Sequence, residues 1–247
     1  MSRTILITGG GTGIGRATAR HFAEQGETVI VTGRRLQPLS DLAQQTGVRA
    51  LVCDHTDPQS LAGVLSALPE QIDVLVNNAG GNTDFDSGTD PDTGAGDEME
   101  LVRYARAFRA NLDANLISAA LTTKALDGRL AAGGAVVHIG SIAADQGAGS
   151  YGASKAGLAT WNLDLARLLG PRGITANVVS PGYIADTEFF RDHLTDERRE
   201  HLVAGTATGR AGSPADIAGA IAFLASPAAR HITGQVLNVN GGAHTTR

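Results

Sequence analysis

Tyr151 and Lys155 stand four residues apart in Tyr-Gly-Ala-Ser-Lys, and a helix through this segment stacks both polar groups on one face. A phenol titrates near pH ~10, and a neighbouring ammonium favours the phenolate. The pair is therefore expected to move toward the range where it can exchange a proton with an alcohol or a ketone. The same spacing occurs on ordinary solvated helices, so the chemical reading depends on what other segments bring to it.

The first such segment is Thr8-Gly9-Gly10-Gly11-Thr12-Gly13-Ile14-Gly15, between an apolar run and a helical pattern that begins near Gly15. Glycine lets the backbone turn tightly and approach a pyrophosphate, and a helix N-terminus offers unpaired N–H groups and a partial positive charge. Strand, glycines and helix in this order predict a dinucleotide site. The second apolar run ends in Thr32-Gly33-Arg34-Arg35, where a dinucleotide fold faces the adenosine ribose. An acidic residue there would bind a 2′-hydroxyl and repel a phosphate. Two guanidinium groups after a glycine instead favour NADP(H), with NAD(H) still possible.

These segments need a sheet to hold them. Short β-rich runs recur at Thr4 to Thr8, Thr28 to Thr32, Arg49 to Cys53, Ile72 to Asn77, Ala135 to Ile139, Ile174 to Val179 and Gln235 to Val239, separated by helix-like stretches. Continuous Val, Ile and Leu runs alternating with helices predict an α/β fold: one Rossmann-like doubly wound parallel sheet of about seven strands with helices on both faces. One domain is expected over residues 1–247. Two segments break the rhythm: a Gly-, Asp- and Thr-rich loop insertion near 81–98, and a charged stretch near 183–212 that reads as a substrate lid before a core helix starting near Pro214.

Composition narrows the partners. Twenty Lys plus Arg against 25 acidic residues give a net charge of −5, which offers no basic surface for nucleic acid or an anionic membrane. No window approaches the ~18 consecutive apolar residues of a membrane helix, and no cleavable leader is evident after Met1. The lone Cys53 cannot form an internal disulfide and reads as a small core residue. The expectation is a soluble, cytoplasmic protein acting on a small molecule. Metal is not expected: counting from Asp84, the acidic run with Asp86, Asp90, Asp92 and Asp97 lacks the glycine of a calcium loop at its sixth position and has Ala95 at its twelfth.

With the glycine segment and Tyr151-x-x-x-Lys155 both in place, the chain resembles the short-chain dehydrogenase/reductase family, especially its 3-oxoacyl carrier-protein and polyketide ketoreductase types. The resemblance covers essentially the whole chain. It extends through Cys53-Asp54-His55-Thr56-Asp57, Asn77-Asn78-Ala79-Gly80, Asn115-Leu116, Ser141, Pro181-Gly182 and Val239-Asn240-Gly241-Gly242. It implies that Gly9, Thr12, Gly13, Ile14 and Gly15 cradle the cofactor and that Asp54 and the backbone at His55 hold the adenine. Asn78, Ala79 and Gly80 would line the cofactor and brace the central strand, and Pro181, Gly182, Ile184 and Thr187 would meet the nicotinamide end. Asp54 reads equally well as a turn acid opening Asp-x-x-Asp. Ser141 would orient the substrate, Asn115 would bend its helix to hold a relay water, and Lys155 would lower the phenol pKa while contacting the ribose. A homotetramer or homodimer is also implied.

Two departures from the family pattern carry expectations of their own. Gly80 to Asn115 is longer than usual, and the Ser141 to Tyr151 connection is shorter, which should reshape the substrate entrance and bears on where the Ser141 hydroxyl is held. The function expected is reversible hydride transfer between nicotinamide and a carbonyl or secondary alcohol, as a ketoreductase. The alternatives are an NAD(P)-dependent alcohol or sugar dehydrogenase working with the same residues and a non-catalytic dinucleotide sensor.

Overall fold

A computed structural model describes residues 2–85 and 97–246. Its seven strands are β1 (Thr4–Thr8), β2 (Thr28–Gly33), β3 (Arg49–Val52), β4 (Ile72–Asn77), β5 (Leu130–Ile139), β6 (Thr175–Pro181) and β7 (Val236–Val239). They form one parallel sheet in the order β3-β2-β1-β4-β5-β6-β7. The chain builds outward from β1 to β3, then returns past β1 to start the other half at β4. That reversal leaves a crevice at the C-terminal ends of β1 and β4.

Alternation along each strand feeds two cores. Ile5, Ile7, Val29, Val31, Val74 and Val76 face one side, against Phe22 of α1 (Gly13–Glu24), Leu39 and Leu42 of α2 (Leu36–Thr46) and Ile217 and Ile221 of α9 (Pro214–Leu224). Leu6, Ile30, Leu75, Val136 and Ala176 face the other side. There they meet Leu61 and Val64 of α3 (Pro58–Leu65), Leu126 of α5 (Ser118–Leu126) and Leu165 and Leu169 of α7 (Gly149–Leu169). Burying both sheet faces is what a continuous apolar strand requires.

The strand runs of the sequence recur with small changes of boundary. The largest is at β5, which starts at Leu130, five residues before the expected Ala135. Leu130 pairs with Ile72, and the register then shifts before Val74 pairs with Ala135. Gly133 and Gly134 make that irregularity possible: Gly133 has a φ of 72°, and a Cβ on Gly134 would lie 2.6 Å from the Asp73 carbonyl oxygen. The glycine pair thus sits at an irregularity inside the strand.

The helical stretch before β5 is in three pieces: α4 (Asp97–Leu112), a π-helical turn (Asp113–Ile117) and α5. Part of the insertion near 81–98, including Asp86, Asp90 and Asp92, lies outside the described residues. Its described start is a short turn, Thr83–Phe85. The lid segment contains α8 (Asp196–Ala204) and is closed at its base by a bridge from Ile184 to Gly212. Among the described residues no helix is long and apolar enough to cross a membrane, and no cluster of acidic, histidine or cysteine side chains is placed to hold a metal ion.

Candidate active site

The crevice has a volume of about 1000 Å³, and its floor is the glycine loop. Gly9 and Gly13 adopt φ values of 65° and 51°, where an L side chain is strained. A Cβ on Gly9 would lie 2.9 Å from the Ala79 Cα, and one on Gly15 would lie 2.3 Å from the Gly9 carbonyl oxygen. The loop is thus folded tightly onto β4 with room only for hydrogens. Gly9, Thr12, Gly13 and Ile14 line the crevice, while Gly15 is buried beneath as the contact that lets α1 approach the loop. α1 begins at Gly13, two residues before the expected Gly15. Its first-turn N–H groups have no partners within the helix and carry the positive end of its dipole, so the cradle suits a pyrophosphate.

Asn78 ties this floor to the neighbouring strand. Its Nδ2 donates to the carbonyls of Thr8 and Gly9, both at 3.0 Å, while the Thr8 hydroxyl accepts from the N–H groups of Asn78 and Ala79 at 3.1 and 2.9 Å. Ala79 and Gly80 continue the wall of the crevice. A Cβ on Gly80 would lie 2.5 Å from Asn115 Oδ1, so glycine there admits the asparagine.

At the far end, Arg34 and Arg35 line the crevice beyond β2. Arg35 Nη2 lies 2.6 Å from Glu188 Oε2 of the lid and 3.3 Å from Thr12 Oγ1, and both members of the ion pair are 60% exposed. Asp54 is not among the lining residues. Burial raises its carboxyl pKa, but the N–H and hydroxyl of Thr56 together with the Arg34 charge outweigh this and hold it below the usual value. Its Oδ1 is engaged by both Thr56 groups, at 3.0 and 2.7 Å, the geometry of a turn acid; Cys53 and His55 face the crevice in its place. His55 is buried between two threonines, with Nε2 2.7 Å from Thr32 Oγ1 and Nδ1 2.8 Å from Thr122 Oγ1. Thr122 already donates to the Ser118 carbonyl, so it accepts from Nδ1–H, which leaves Nε2 to accept from Thr32. Burial pushes His55 down to about 4, keeping this imidazole neutral.

α7 brings Tyr151 and Lys155 to the centre of the crevice, one turn apart and both buried. The Ser141 hydroxyl lines the same crevice, where it works to lower the phenol pKa, and it accepts from the Ala143 N–H at 3.1 Å. The short connection after Ser141 is taken up by a single helical turn, α6 (Ala143–Gln146). Lys155 Nζ donates to the Ile139 carbonyl at 2.8 Å and lies 5.8 Å from the Tyr151 ring centre.

The expected fall in the phenol pKa is reversed. Burial pushes Tyr151 up to about 12, only partly offset by Ser141, and burial pushes Lys155 down to about 7. The physical reason is desolvation: both charged forms lose water, and an amine that titrates near neutrality exerts only part of a full charge. The phenol is consequently held as a neutral acid. His138, behind Lys155, is pushed down to about 3 by burial and by the lysine charge.

Asn115 lies inside the π-helical turn and is buried. Its Oδ1 accepts from the Gly81 N–H at 3.0 Å, and its Nδ2 donates to the carbonyls of Gly81 and Asn111 at 3.0 and 2.9 Å. The lid enters from Pro181, whose carbonyl accepts from the Ile142 N–H at 3.1 Å, and Gly182, where a Cβ would lie 2.8 Å from Asn240 Cβ. Ile184 is buried in the core, and the Thr187 hydroxyl donates to its carbonyl at 3.2 Å. A Cβ on Gly13 would touch Thr187 Cγ2 at 3.5 Å, so the lid already rests on the glycine loop.

Three residues that no sequence motif marks belong to this arrangement. Asn111 accepts from the Thr83 N–H and donates to Asp84 Oδ1 and Ser150 Oγ, so it joins the start of the insertion to the residue before Tyr151. Its place one helical turn before Asn115 was the available signal. Glu188 and Phe85 reach the crevice only through folding and leave no local signature.

Residues 9–244 match the family model described as enoyl-(acyl carrier protein) reductase. The chain is 37% identical over 250 residues to the 3-oxoacyl-[acyl-carrier-protein] reductase FabG of Escherichia coli (strain K12), covering 97% of this chain and 96% of that protein. It is 35% identical over 253 residues to the corresponding FabG of Vibrio cholerae, covering 98% and 97%. Among solved structures, a short-chain dehydrogenase from Burkholderia cenocepacia J2315 in complex with NADP superposes with a TM-score of 0.82 at 30% identity, over 98% of both chains. A blue fluorescent protein from a metagenomic library, in complex with NADPH, superposes with a TM-score of 0.79 at 33% identity, again over 98% of both.

Proposed function

Given that the chain belongs to the short-chain dehydrogenase/reductase family, we propose that it is an NADP(H)-dependent ketoreductase that interconverts a carbonyl and a secondary alcohol. The observation that carries this reading is a neutral, buried Tyr151 with Ser141 and Lys155 in the same crevice as the glycine cradle and the two arginines. NADPH- and NADP-bound structural neighbours support the choice of cofactor.

The glycine loop and the α1 N-terminus would hold the pyrophosphate, Arg34 and Arg35 the 2′-phosphate, and Ala79, Gly80, Ile184 and Thr187 the nicotinamide side. When bound, the nicotinamide supplies the hydride that reaches the carbonyl carbon. The protein supplies the proton and the geometry. Tyr151 donates its phenolic proton to the carbonyl oxygen as charge develops there, and Ser141 hydrogen-bonds the same oxygen. Lys155 would face the ribose and would return a proton to the phenol through a relay in which Asn115 would be the inner member. Cofactor oxidation plus one proton thus balances ketone reduction to the alcohol. The exposed Met99, Leu101, Val102 and Tyr104 of α4 support a homotetramer or homodimer, and the net charge of −5 accords with a cytoplasmic small-molecule enzyme.

The decisive test is Tyr151→Phe. Loss of the donor should lower turnover of a reducible ketone by about a hundredfold to ten-thousandfold while NADPH affinity, measured by fluorescence titration, stays within a factor of three. Undiminished turnover would remove the assignment.

A further inference from the structure

One side of the crevice is built from rings. Phe189 of the lid lies 5.5 Å from the Tyr151 ring, centre to centre, and 4.9 Å from Phe190, with the two phenylalanines nearly perpendicular. Phe85, from the turn after β4, meets Phe189 edge-on at 6.0 Å and Phe190 at 5.9 Å, and His193 stacks on its other face at 5.2 Å. Tyr183 and the Arg198 guanidinium brace Phe190 from the lid side at 5.9 and 5.4 Å. A ring cluster that served only as core would be buried, as Phe22 is. Phe85, Phe189 and Phe190 are instead half-buried and line the crevice. Ile142, Ala143 and Ala148 add small or aliphatic surface to the same crevice.

From this arrangement we propose that the substrate is an aryl ketone whose aromatic ring is attached directly to the reacting carbonyl. The inference rests on the ketoreductase reading above, because that reading fixes the carbonyl oxygen at the Tyr151 and Ser141 hydroxyls. With the oxygen there, one substituent of the carbonyl carbon extends along the Tyr151 ring toward Phe189. Rings in offset or edge-on arrangement gain attraction beyond their buried area, whereas a saturated group of the same size gains only the burial. The wall therefore selects for aromaticity as well as for bulk.

Three β-keto esters separate these effects: ethyl benzoylacetate, its cyclohexyl counterpart with a saturated ring, and ethyl acetoacetate with a methyl group. With NADPH, kcat/KM for the phenyl ester should exceed that for the cyclohexyl ester at least tenfold, and Phe189→Leu should bring the ratio to within about threefold. Phe85→Leu, farther from the phenol, should lower it partway and serves as the second variant if Phe189→Leu does not fold. Equal rates for phenyl and cyclohexyl esters, or a ratio unmoved in both folded variants, would overturn the aryl assignment and leave the ketoreductase reading standing. If none of the three esters is reduced, calorimetric titration into the NADP⁺-loaded protein decides. Phenyl over cyclohexyl preference that falls in Phe189→Leu sustains the aryl site while the reductase reading fails, and no preference overturns it.

Discussion

Lys155 Nζ stands 5.8 Å from the centre of the Tyr151 ring and spends a hydrogen bond of 2.8 Å on the Ile139 carbonyl of the adjacent strand. The two side chains share a helix face, but burial rather than their mutual attraction sets both proton affinities.

That balance has a measurable sign. Burial lowers Lys155 to about 7, so between that pH and its ordinary value near 10.5 the unfolded chain holds a proton that the folded chain has released. Stability therefore rises with pH across this window, and the lysine is most costly below it, where it is charged in both states. In the cofactor-free protein, Lys155→Met should raise the urea midpoint at pH 6.5, and the gain should shrink by pH 9.5. A gain independent of pH would contradict the burial argument.

The buried histidines act at the acid end. His55 is lowered to about 4 and His138 to about 3, both by burial, so above pH 6.5 both states are neutral and nothing is lost. As pH falls from 6.5 toward 4 the unfolded chain takes up protons that the folded chain refuses, and stability declines. The urea midpoint of the wild type should fall across that interval. His55→Gln should show a shallower slope, even with a lower midpoint at pH 7.

Glu188 is expected to oppose NADPH. Its carboxylate occupies Arg35 at 2.6 Å, where the 2′-phosphate would bind, and it would repel that phosphate. Because the pair is exposed, it is worth at most about 1 kcal/mol, so Glu188→Gln should tighten NADPH roughly two- to fivefold. NADH affinity should not change. Equal tightening of both cofactors in parallel titrations would contradict the phosphate assignment.

Gly15→Ala tests the cradle. The new methyl would fall 2.3 Å from the Gly9 carbonyl oxygen and 2.5 Å from Asn78 Nδ2, neither of which can retreat without moving the loop off β4. Overpacking of this kind typically costs about 1–3 kcal/mol. NADPH binding should weaken by more than tenfold, against little effect from Gly63→Ala on the exposed face of α3, where nothing lies within 4 Å. Unaltered affinity in Gly15→Ala would show that the loop does not set the cofactor's position.

The sheet was legible because its signals are local. Most strands are short runs rich in Val, Ile and Leu, and the crossovers carry helix patterns, as with Thr4–Thr8 followed by the glycines and α1. The glycine loop and Tyr151-x-x-x-Lys155 were equally readable, since a tight turn at positive φ and a one-turn stacking depend on neighbours in sequence. The early start of β5 was not, because the segment before Ala135 holds Gly133 and Gly134 and joins the strand only through the pairing of Leu130 with Ile72.

What the sequence determined by itself is therefore the parallel α/β framework, the tight glycine turn before α1 and the one-turn stacking of Tyr151 and Lys155, all encoded in spacings of a few residues. Only the tertiary structure decided the direction of their pKa shifts, the pairing of Arg35 with Glu188 across 153 positions, and the meeting of Phe85 with Phe189 beside the phenol. Desolvation and contacts between distant segments arise from packing, and no local pattern of residues contains them.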